Sequence, residues 1–306
     1  MVLSFAVGLI SAVLPLVGTV GSDCEMSFEQ GREEFAARHF DRAAHAFEEA
    51  LGSCPPSQQT SLLLNLARSQ MVSQHVPDSL LTLNRLLRLE PRNTAGLKLQ
   101  SDALFLLGRE SEAEQSLLSA RAIEPQNAEL PYSLGRIYYQ QHRYSEALTQ
   151  FQAAVALDPK SYKTHDNLGL CYEALNESQQ AITHYTKAIE LVYKDHPEYD
   201  WPYGNLAALM LKLGSNQQAF DLAAEAAFRN PQSARNFYLT GKALTKLGKW
   251  DLSIRWLQRA AELDPAYAEP HYLLARAYRT LGQDAEAGRE FNLFRKIAAA
   301  QPREKR

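Results

Sequence analysis

Residues 134–159 read LGRIYYQQHRYSEALTQFQAAVALDP, and residues 168–193 read LGLCYEALNESQQAITHYTKAIELVY. The two stretches lie 34 positions apart, and their intervening residues differ. Both begin with Leu-Gly, place Tyr four residues after that Leu, and continue with Ala, an aromatic residue and Ala at matching offsets. A fixed period of this length indicates an internal repeat in which each copy forms one supersecondary unit.

The same skeleton recurs through most of the chain. We predict eight units, starting at residues 24, 60, 94, 128, 162, 200, 234 and 268, most of them 34 residues apart. Positions 8 and 20 of every unit carry Gly, Ala or Ser, a coincidence that chance does not explain. Position 8 is Gly31, Ala67, Ser101, Gly135, Gly169, Ala207, Gly241 and Ala275. Position 20 is Ala43, Ser79, Ala113, Ala147, Ala181, Ala219, Ser253 and Ala287.

Between these small residues the apolar side chains follow a helical period, which predicts two helices in each unit. Small residues at positions 8 and 20 let the two antiparallel helices approach closely. A large residue at position 24 is expected to fill the space beside them, namely Phe47, Phe151, Tyr185 and Phe291. Proline at position 32 of six units ends the second helix. One hairpin cannot bury its apolar face alone, so neighbouring hairpins must stack.

These landmarks resemble the tetratricopeptide repeat (TPR), with its Leu-Gly-x-x-Tyr, Ala, Phe, Ala and Pro positions. The match is close in the units at 128, 162 and 268 and looser in those at 24, 60 and 94. The resemblance implies an all-α fold, a right-handed superhelical solenoid of antiparallel helix hairpins. We therefore expect a leader at residues 1–22, the solenoid at residues 23–301 and a polar tail at residues 302–306.

The N-terminal segment has a separate role. Residues 2–22 carry no charged side chain and end in small residues ahead of Asp23, which is typical of a secretory signal peptide cleaved near Gly21 or Ser22. The alternative is an uncleaved membrane anchor, because about 20 apolar residues can span a bilayer and no Lys or Arg precedes the run. Both interpretations predict an exported protein, either secreted or periplasmic, or held at a membrane by this segment.

Two of the three cysteines fall at matching ends of the first predicted hairpin. Cys24 takes position 1 and Cys54 takes position 31, and antiparallel helices bring those positions together. In an oxidising compartment the pair could form a disulfide that closes the hairpin. The alternative is two unpaired thiols in a reducing compartment. Cys171, at position 10 of its unit, is predicted to be a small packed residue.

The composition excludes several classes of function. The net charge of −3 on 306 residues offers no field that would recruit nucleic acid. Histidines and cysteines are too scattered for a metal site. The chain has no Gly-rich phosphate loop, nucleophile elbow or metal-ligand helix motif, and the repeats leave no residues for a catalytic domain. We therefore expect a non-enzymatic protein without a cofactor.

In the family that this sequence resembles, the first helix of each unit lines a concave groove. Positions 2, 5, 6, 9, 12 and 13 usually face that groove, and position 6 here is Asn65, Asn167 and Asn205. An asparagine amide both donates and accepts, so it can bracket the backbone of an extended peptide without reading its sequence. The alternative is a polar residue on a solvated helix face.

The same face carries cations and tyrosines. Position 9 is Arg32, Arg68, Arg136, Lys242 and Arg276, and position 5 is Tyr132, Tyr238 and Tyr272. Three units therefore place a Tyr one helical turn before a cation. Such a surface suits an acidic or carboxylate-bearing extended segment, with the tyrosines as rigid contacts. Here too, a charged helix face that only keeps the protein soluble is the alternative.

We predict a scaffold that binds protein or peptide partners, with no nucleic-acid partner and with membrane contact only through an uncleaved N-terminal segment. The second hypothesis is a structural subunit of an envelope or secretion/assembly complex that uses its terminal faces. In that case Leu293 and Ile297 of the final helix are candidate contacts.

The spacing between the units at 162 and 200 is four residues longer than the usual period. The residues YKDHPEYDWPYGN at 193–205 fall at this point, and Pro197 and Pro202 are expected to end helices. We predict a lengthened loop that changes the curvature of the array. An aromatic contact patch formed by Tyr199 and Trp201 is the alternative.

Overall fold

The computed structural model describes residues 22–300, and α-helices dominate this entire stretch. Sixteen α-helices and no strand are found in the described residues, which confirms the predicted all-α array of helix hairpins. The first eight are α1 (Ser22–Ala36), α2 (Phe40–Ser53), α3 (Gln59–Val72), α4 (Val76–Leu89), α5 (Thr94–Leu106), α6 (Glu110–Ile123), α7 (Glu129–Gln140) and α8 (Tyr144–Leu157). The others are α9 (Tyr162–Ala174), α10 (Ser178–Asp195), α11 (Trp201–Lys212), α12 (Asn216–Arg229), α13 (Ala234–Lys246), α14 (Trp250–Leu263), α15 (Ala268–Thr280) and α16 (Asp284–Ala300).

The predicted leader and the polar tail lie outside the described residues, apart from Ser22 at the start of α1. Between residues 22 and 300, no helix combines the length and the apolar character that crossing a membrane requires.

The chain divides into two compact units between Ile137 and Tyr138, within α7. In the first unit each helix from α1 to α6 packs against the next one in the chain. In the second unit the same is true from α8 to α16. Short connections between consecutive helices make each packed pair antiparallel, as a hairpin requires.

In several hairpins the residue at position 8 matches the size of the residue at position 24. Gly169 lies against the buried ring of Tyr185, and a Cβ atom on this glycine would stand 2.5 Å from the ring. Gly31 faces the buried Phe47 in the same way, with a Cβ distance of 2.6 Å. Units with Ala67 or Ser101 at position 8 instead carry a buried leucine at position 24. Glycine therefore accommodates an aromatic ring that a methyl group would displace.

Phe291 is an exception to the prediction for position 24. Its side chain is 40% exposed, and Ala287 is the only buried residue of α16. No further hairpin follows α16 in the described residues, so none of the described helices covers its outer face. The prediction that Phe291 fills a packed space is therefore wrong.

Every hairpin turn uses the left-handed backbone conformation at position 15. The residues are Arg38 (φ 65°), Gln74 (66°), Gly108 (71°), His142 (59°), Asn176 (62°), Gly214 (80°), Gly248 (73°) and Gly282 (75°). In each turn the next residue donates its backbone N–H to a carbonyl five positions earlier, as Gln283 does to Tyr278 over 2.8 Å. This hydrogen bond satisfies a carbonyl at the end of the first helix and reverses the chain.

The four additional residues near 193–205 lengthen a helix rather than a loop. Helix α10 has 18 residues, whereas α8 and α12 have 14 each. Four residues make about one helical turn, so the added turn keeps the buried face of α10 in register. Val192 in this turn is fully buried and packs with Tyr203 and Ala226. The predicted lengthened loop is therefore wrong.

Arg229 fixes the connection that follows this longer helix. Its guanidinium lies 4.3 Å from the centroid of the Tyr203 ring and donates to the carbonyl of Pro197 over 3.2 Å. Its Nε atom also bonds Glu225 over 2.8 Å, and its side chain is only 6% exposed. Tyr199 packs edge-on against Tyr162, with 4.7 Å between ring centroids. These aromatic residues are engaged within the second unit.

A disulfide joins Cys24 to Cys54 and ties the start of α1 to the residue after α2, with 4.8 Å between the Cα atoms. Both cysteines are buried in a cluster with Phe47 and Leu62. The third cysteine, Cys171, is fully buried as a packed residue. Burial raises the pKa of its thiol to about 12, so the thiolate is not populated near neutral pH.

Candidate functional site

The first helices of the second unit line one face together. Helix α9 contacts α11, α11 contacts α13, and α13 contacts α15. In the described part of this unit no comparable contact joins one second helix to another. The first helices therefore lie closer together and form the inner side of the stack. We call this surface, formed by α9, α11, α13 and α15, the first-helix face.

Tyrosine and a cation lie side by side in the three hairpins where the sequence pairs them. The Lys242 Nζ atom is 5.4 Å from the centroid of the Tyr238 ring, and the Arg276 guanidinium is 5.9 Å from Tyr272. In the first unit, the Arg136 guanidinium is 6.0 Å from Tyr132. These distances are within the range of cation–π attraction. Each cation thus rests beside an apolar surface that limits its movement.

Two further aromatic residues adjoin this arrangement, Trp250 at the start of α14 and Tyr267 just before α15. Arg276 also lies 5.6 Å from the ring of Trp250, and Tyr238 packs against Tyr267 with 5.0 Å between ring centroids. Burial, with a smaller contribution from Glu269, raises the pKa of Tyr238 to about 12. Tyr238 therefore keeps its phenolic proton as a hydrogen-bond donor over the whole physiological range.

The three asparagines at position 6 have different environments. Asn205 is buried, and its amide donates to Asp166 and accepts from Arg235, each over 3.0 Å. The amide of Asn167 turns back to the carbonyl of Lys163 on its own helix, over 2.8 Å. Asn65, in the first unit, is half-buried. The structure therefore does not align Asn167 and Asn205 as two equivalent exposed amides.

Another predicted cation of the first unit, Arg68, is exposed on α3. Position 9 of the next hairpin is Asp102, whose pKa burial raises while the charges of Lys98 and Arg136 lower it. The row of cations at position 9 is therefore interrupted by an acid in this unit, and Arg136 lies within electrostatic reach of it.

Arg235 was not among the principal candidates, yet the second unit positions it firmly. Its Nη2 group donates to Asn205, and its guanidinium lies 5.8 Å from the ring of Trp201. Gly204 leaves the space that the guanidinium occupies, since a Cβ atom there would stand 2.8 Å from Nη1. Arg235 therefore crosses from α13 onto α11, and three first helices meet at this side chain through Asn205 and Asp166.

Asp166 supplies a negative charge beneath this arginine. Its side chain is 3% exposed, and burial raises its pKa to about 7. The hydrogen bond from Asn205, the charge of Arg235 and the hydroxyl of Tyr199 oppose that rise, and Asp200 adds to it. Asp166 is consequently a carboxyl group that changes charge near neutral pH.

A second buried polar set supports the same region. Asn236 is fully buried and donates to Asp200, and also to the carbonyl of Ala226 over 3.1 Å. Asn230 donates to the other oxygen of Asp200 over 3.3 Å. The Oδ1 atom of Asn236 has no hydrogen-bond partner among the described residues. These bonds link the start of α11, the end of α12 and the start of α13. They therefore fix the first turn of α13, which carries Arg235.

The sequence interpretation missed Asp166 as a partner of the candidate residues. It occupies position 5, where other units carry Tyr132, Tyr238 or Tyr272. An acid at a position where other units carry tyrosine could have indicated that Asp166 has a special role. Residues 22–300 contain no group of three or more His, Cys, Asp or Glu side chains placed to hold a metal ion.

Comparison with known proteins identifies the repeats. Three family models match, all described as TPR or tetratricopeptide repeat: the first at residues 135–176 and 241–282, the second at residues 161–227, and the third at residues 28–59 and 64–128. Together the matched segments span most of the described chain. The chain is a protein of tetratricopeptide repeats. The comparison with curated proteins returned no match.

Solved structures share the fold. A tetratricopeptide repeat protein from Parabacteroides merdae is 17% identical, with a TM-score of 0.65 over 84% of this chain and 99% of that one. The pilF protein of Pseudomonas aeruginosa is 18% identical, with a TM-score of 0.62 over 72% of this chain and 98% of that one. YrrB, described as a TPR protein with an unusual peptide-binding site, is 16% identical, with a TM-score of 0.51 over 61% and 95%. At these identities the likeness concerns the fold. Proteins of this class generally mediate protein–protein interaction, typically as non-catalytic scaffolds.

Proposed function

We propose that the protein is an interaction scaffold whose first-helix face binds an extended, carboxylate-bearing segment of a partner protein. One observation carries this proposal: three cations on the two adjacent first helices α13 and α15 each lie within 6 Å of an aromatic ring. Arg235 lies by Trp201 at 5.8 Å, Lys242 by Tyr238 at 5.4 Å, and Arg276 by Tyr272 at 5.9 Å.

The chemistry of these side chains favours carboxylates. Charge-assisted hydrogen bonds from Arg and Lys to a carboxylate are about twice as strong as neutral ones. Lys246 and Arg279 add positive charge to α13 and α15, where Glu269 is the only acidic residue. Rigid aromatic rings add apolar contact at a low entropic cost. In the first unit, Arg68, Asn65, Tyr132 and Arg136 offer similar chemistry.

The structural relative YrrB is described as having a peptide-binding site. The likeness between the two chains is one of fold, so it supports only the capacity of stacked helix hairpins to hold a peptide. The choice of an acidic ligand rests on the residues of this chain.

Fluorescence anisotropy with a labelled (Glu-Gly)4 peptide tests the proposal, with (Gln-Gly)4 as the uncharged probe. The double variant Lys242→Gln/Arg276→Gln should bind (Glu-Gly)4 at least about 30-fold more weakly, because each of the two lost charged hydrogen bonds costs about 1 kcal/mol or more. Arg259→Gln/Arg289→Gln is the matched control. It removes the same charge from the exposed surface of α14 and α16, where each arginine pairs with a glutamate.

The alternative is a structural subunit that assembles through its terminal faces. It predicts no preference for (Glu-Gly)4 over (Gln-Gly)4 and equal behaviour of the two double variants. Equal binding of both probes would therefore reject the acidic-ligand proposal.

We also propose that the protein is exported. The disulfide between Cys24 and Cys54 supports this, since such bonds persist in oxidising compartments, and the uncharged residues 2–22 are consistent with a secretion signal. Intact mass spectrometry of the native protein tests both points. We expect a chain that starts near Cys24 and weighs two hydrogens less than its reduced form. A full-length chain with free thiols recovered from a soluble fraction would contradict export.

A further inference from the structure

Arg235 differs from the other cations of the first-helix face because a second side chain holds it in place. A guanidinium has five N–H donors, and Asn205 accepts one of them over 3.0 Å. Among the described residues, Asn205 is the one hydrogen-bond partner found for Arg235. The side chain is half-buried, so part of it stays accessible to a ligand.

The surroundings of Arg235 restrict it to this position. Gly204 provides the space beneath Nη1, and the Trp201 ring lies 5.8 Å away on the same helix. Arg235 also lies within electrostatic reach of Tyr267, whose pKa burial raises while the arginine lowers it. Tyr267 packs against Tyr238. Arg235 therefore lies beside the Trp201 ring in a restricted position, and a fixed fork of donors loses little entropy when it binds a carboxylate.

Asp166 is the charged group that opposes a bound carboxylate. It reaches Arg235 through Asn205, and it faces the Tyr199 hydroxyl at 3.5 Å. Asp200 is the other acid that influences it, and Arg235 is the cation that does so. When Asp166 is ionised it neutralises part of the field of Arg235 and repels an anion nearby. When it is protonated both effects disappear.

We propose that Arg235, held by Asn205 over Gly204, is the main carboxylate-binding residue of the first-helix face, and that ionisation of the buried Asp166 weakens this binding. The inference rests on the proposed function and deepens it. It changes the role of Asn205 from a ligand contact to a positioning residue, and it makes affinity for an acidic segment increase as the pH falls through about 7, where Asp166 gains its proton.

The experiment measures the affinity of the (Glu-Gly)4 probe between pH 5.5 and 8.5, where the glutamates of the probe stay ionised. Wild-type affinity should rise about three- to tenfold toward the acidic end, the size expected for one charge at several ångströms in a partly buried site. Asp166→Asn should hold the affinity near its acidic value at every pH. His165 and His184 are retained in this variant, so a flat profile assigns the effect to Asp166.

Arg235→Gln should weaken binding at least tenfold, and Arg235→Lys should weaken it about fivefold, because a lysine cannot reproduce the fork of donors. Gly204→Ala should also weaken it, because its Cβ would displace Nη1. Gly288→Ala in α16, where a Cβ meets nothing within 4 Å, is the matched control. Circular dichroism establishes that each variant is folded. Arg235→Lys keeps a positive charge near Asp166, so it changes the geometry of the donors while it preserves the electrostatic effect on that carboxyl.

Two results would overturn the inference and can be distinguished from failure of the proposed function. Binding within twofold of wild type in Arg235→Gln, together with a loss in Lys242→Gln/Arg276→Gln, would leave the scaffold in place and reject Arg235. An unchanged pH profile in Asp166→Asn would reject the role of that carboxyl. No binding of (Glu-Gly)4 to the wild-type protein would overturn both proposals.

Discussion

At the scale of single residues, positions 8 and 24 of a hairpin pack as a pair. Gly169 and Tyr185 fill together the space that Ala67 shares with Leu83 in another hairpin. The sequence indicated that position 8 must be small. It could not separate glycine from alanine there, because that choice depends on how closely the side chain 16 positions away in the partner helix approaches.

Gly169→Ala should lower the free energy of unfolding by about 1–3 kcal/mol, since the new methyl group would stand 2.5 Å from Tyr185. Urea denaturation measures the change, with Gly288→Ala as the control. Adding Tyr185→Leu reproduces the Ala–Leu combination of the second hairpin and should cost less than the sum of the single changes. Strict additivity of the two substitutions would contradict the size match.

A histidine pair gives the second unit a pH dependence of its own. His165 Nε2 donates to the carbonyl of Pro159 over 3.2 Å, so its Nδ1 accepts from His184 Nδ1 over 3.1 Å. Burial lowers the pKa of both imidazoles. For His165 the hydrogen bond to the Pro159 carbonyl opposes this lowering, while the charge of Lys187 adds to it. The charge of His165 lowers the pKa of His184.

Because the folded-state pKa values lie below the unfolded value of about 6.5, the unfolded chain binds more protons, and stability should fall as the pH drops below about 6.5. His184→Gln keeps a donor for His165 but removes one titrating group. It should flatten the dependence of unfolding free energy on pH by up to about 1.4 kcal/mol per pH unit between pH 6.5 and 5. His45→Gln, on the exposed surface of α2, is the control substitution. Identical slopes in all three proteins would contradict this account.

At the scale of helices and turns, position 15 is the point where each hairpin reverses. Four of these residues are glycine and four are not, although all have a positive φ. The sequence does not reveal this shared conformation, because Arg38, Gln74 and His142 carry no local sign of it.

Gln74→Gly should stabilise the protein by about 0.5–1 kcal/mol, because glycine adopts the left-handed conformation without the steric cost of a side chain. Gly248→Ala should destabilise it by about 1 kcal/mol for the converse reason. Thermal unfolding of the two variants measures both. A shift in the same direction for both substitutions would contradict the role of backbone conformation at this position.

The longer helix α10 shows why spacing alone misleads. Four added residues are consistent with a loop or with one more turn, and only the packing of Val192 against Tyr203 decides between them. Arg229 then secures the connection to α11.

Arg229→Leu should therefore increase hydrogen exchange of residues 196–200, since the carbonyl of Pro197 loses its donor and Glu225 its ion-pair partner. We expect a loss of about 1–3 kcal/mol in local opening free energy. Arg259→Leu on α14, whose side chain is 43% exposed and which pairs with Glu262, is the control. Equal exchange in both variants would show that Arg229 does not hold this connection.

At the scale of the whole molecule, the sequence predicted the repeat, the helix order and the tyrosine–cation neighbours. All of these depend on local periodicity. The environment of Asn205 could not be predicted, because its partners Asp166 and Arg235 lie 39 and 30 residues away, on different hairpins. Stacking brings those helices together, and the resulting network decides which polar side chains stay available to a ligand.

Photo-crosslinking tests the central claim most directly. A (Glu-Gly)4 peptide with a photoreactive group would be irradiated with the full-length protein, and the crosslinked residues identified by mass spectrometry. The account predicts crosslinks in α11, α13 and α15, lost in Arg235→Gln and retained in Arg259→Gln/Arg289→Gln. Crosslinks confined to the second helices α10, α12, α14 and α16 would contradict it.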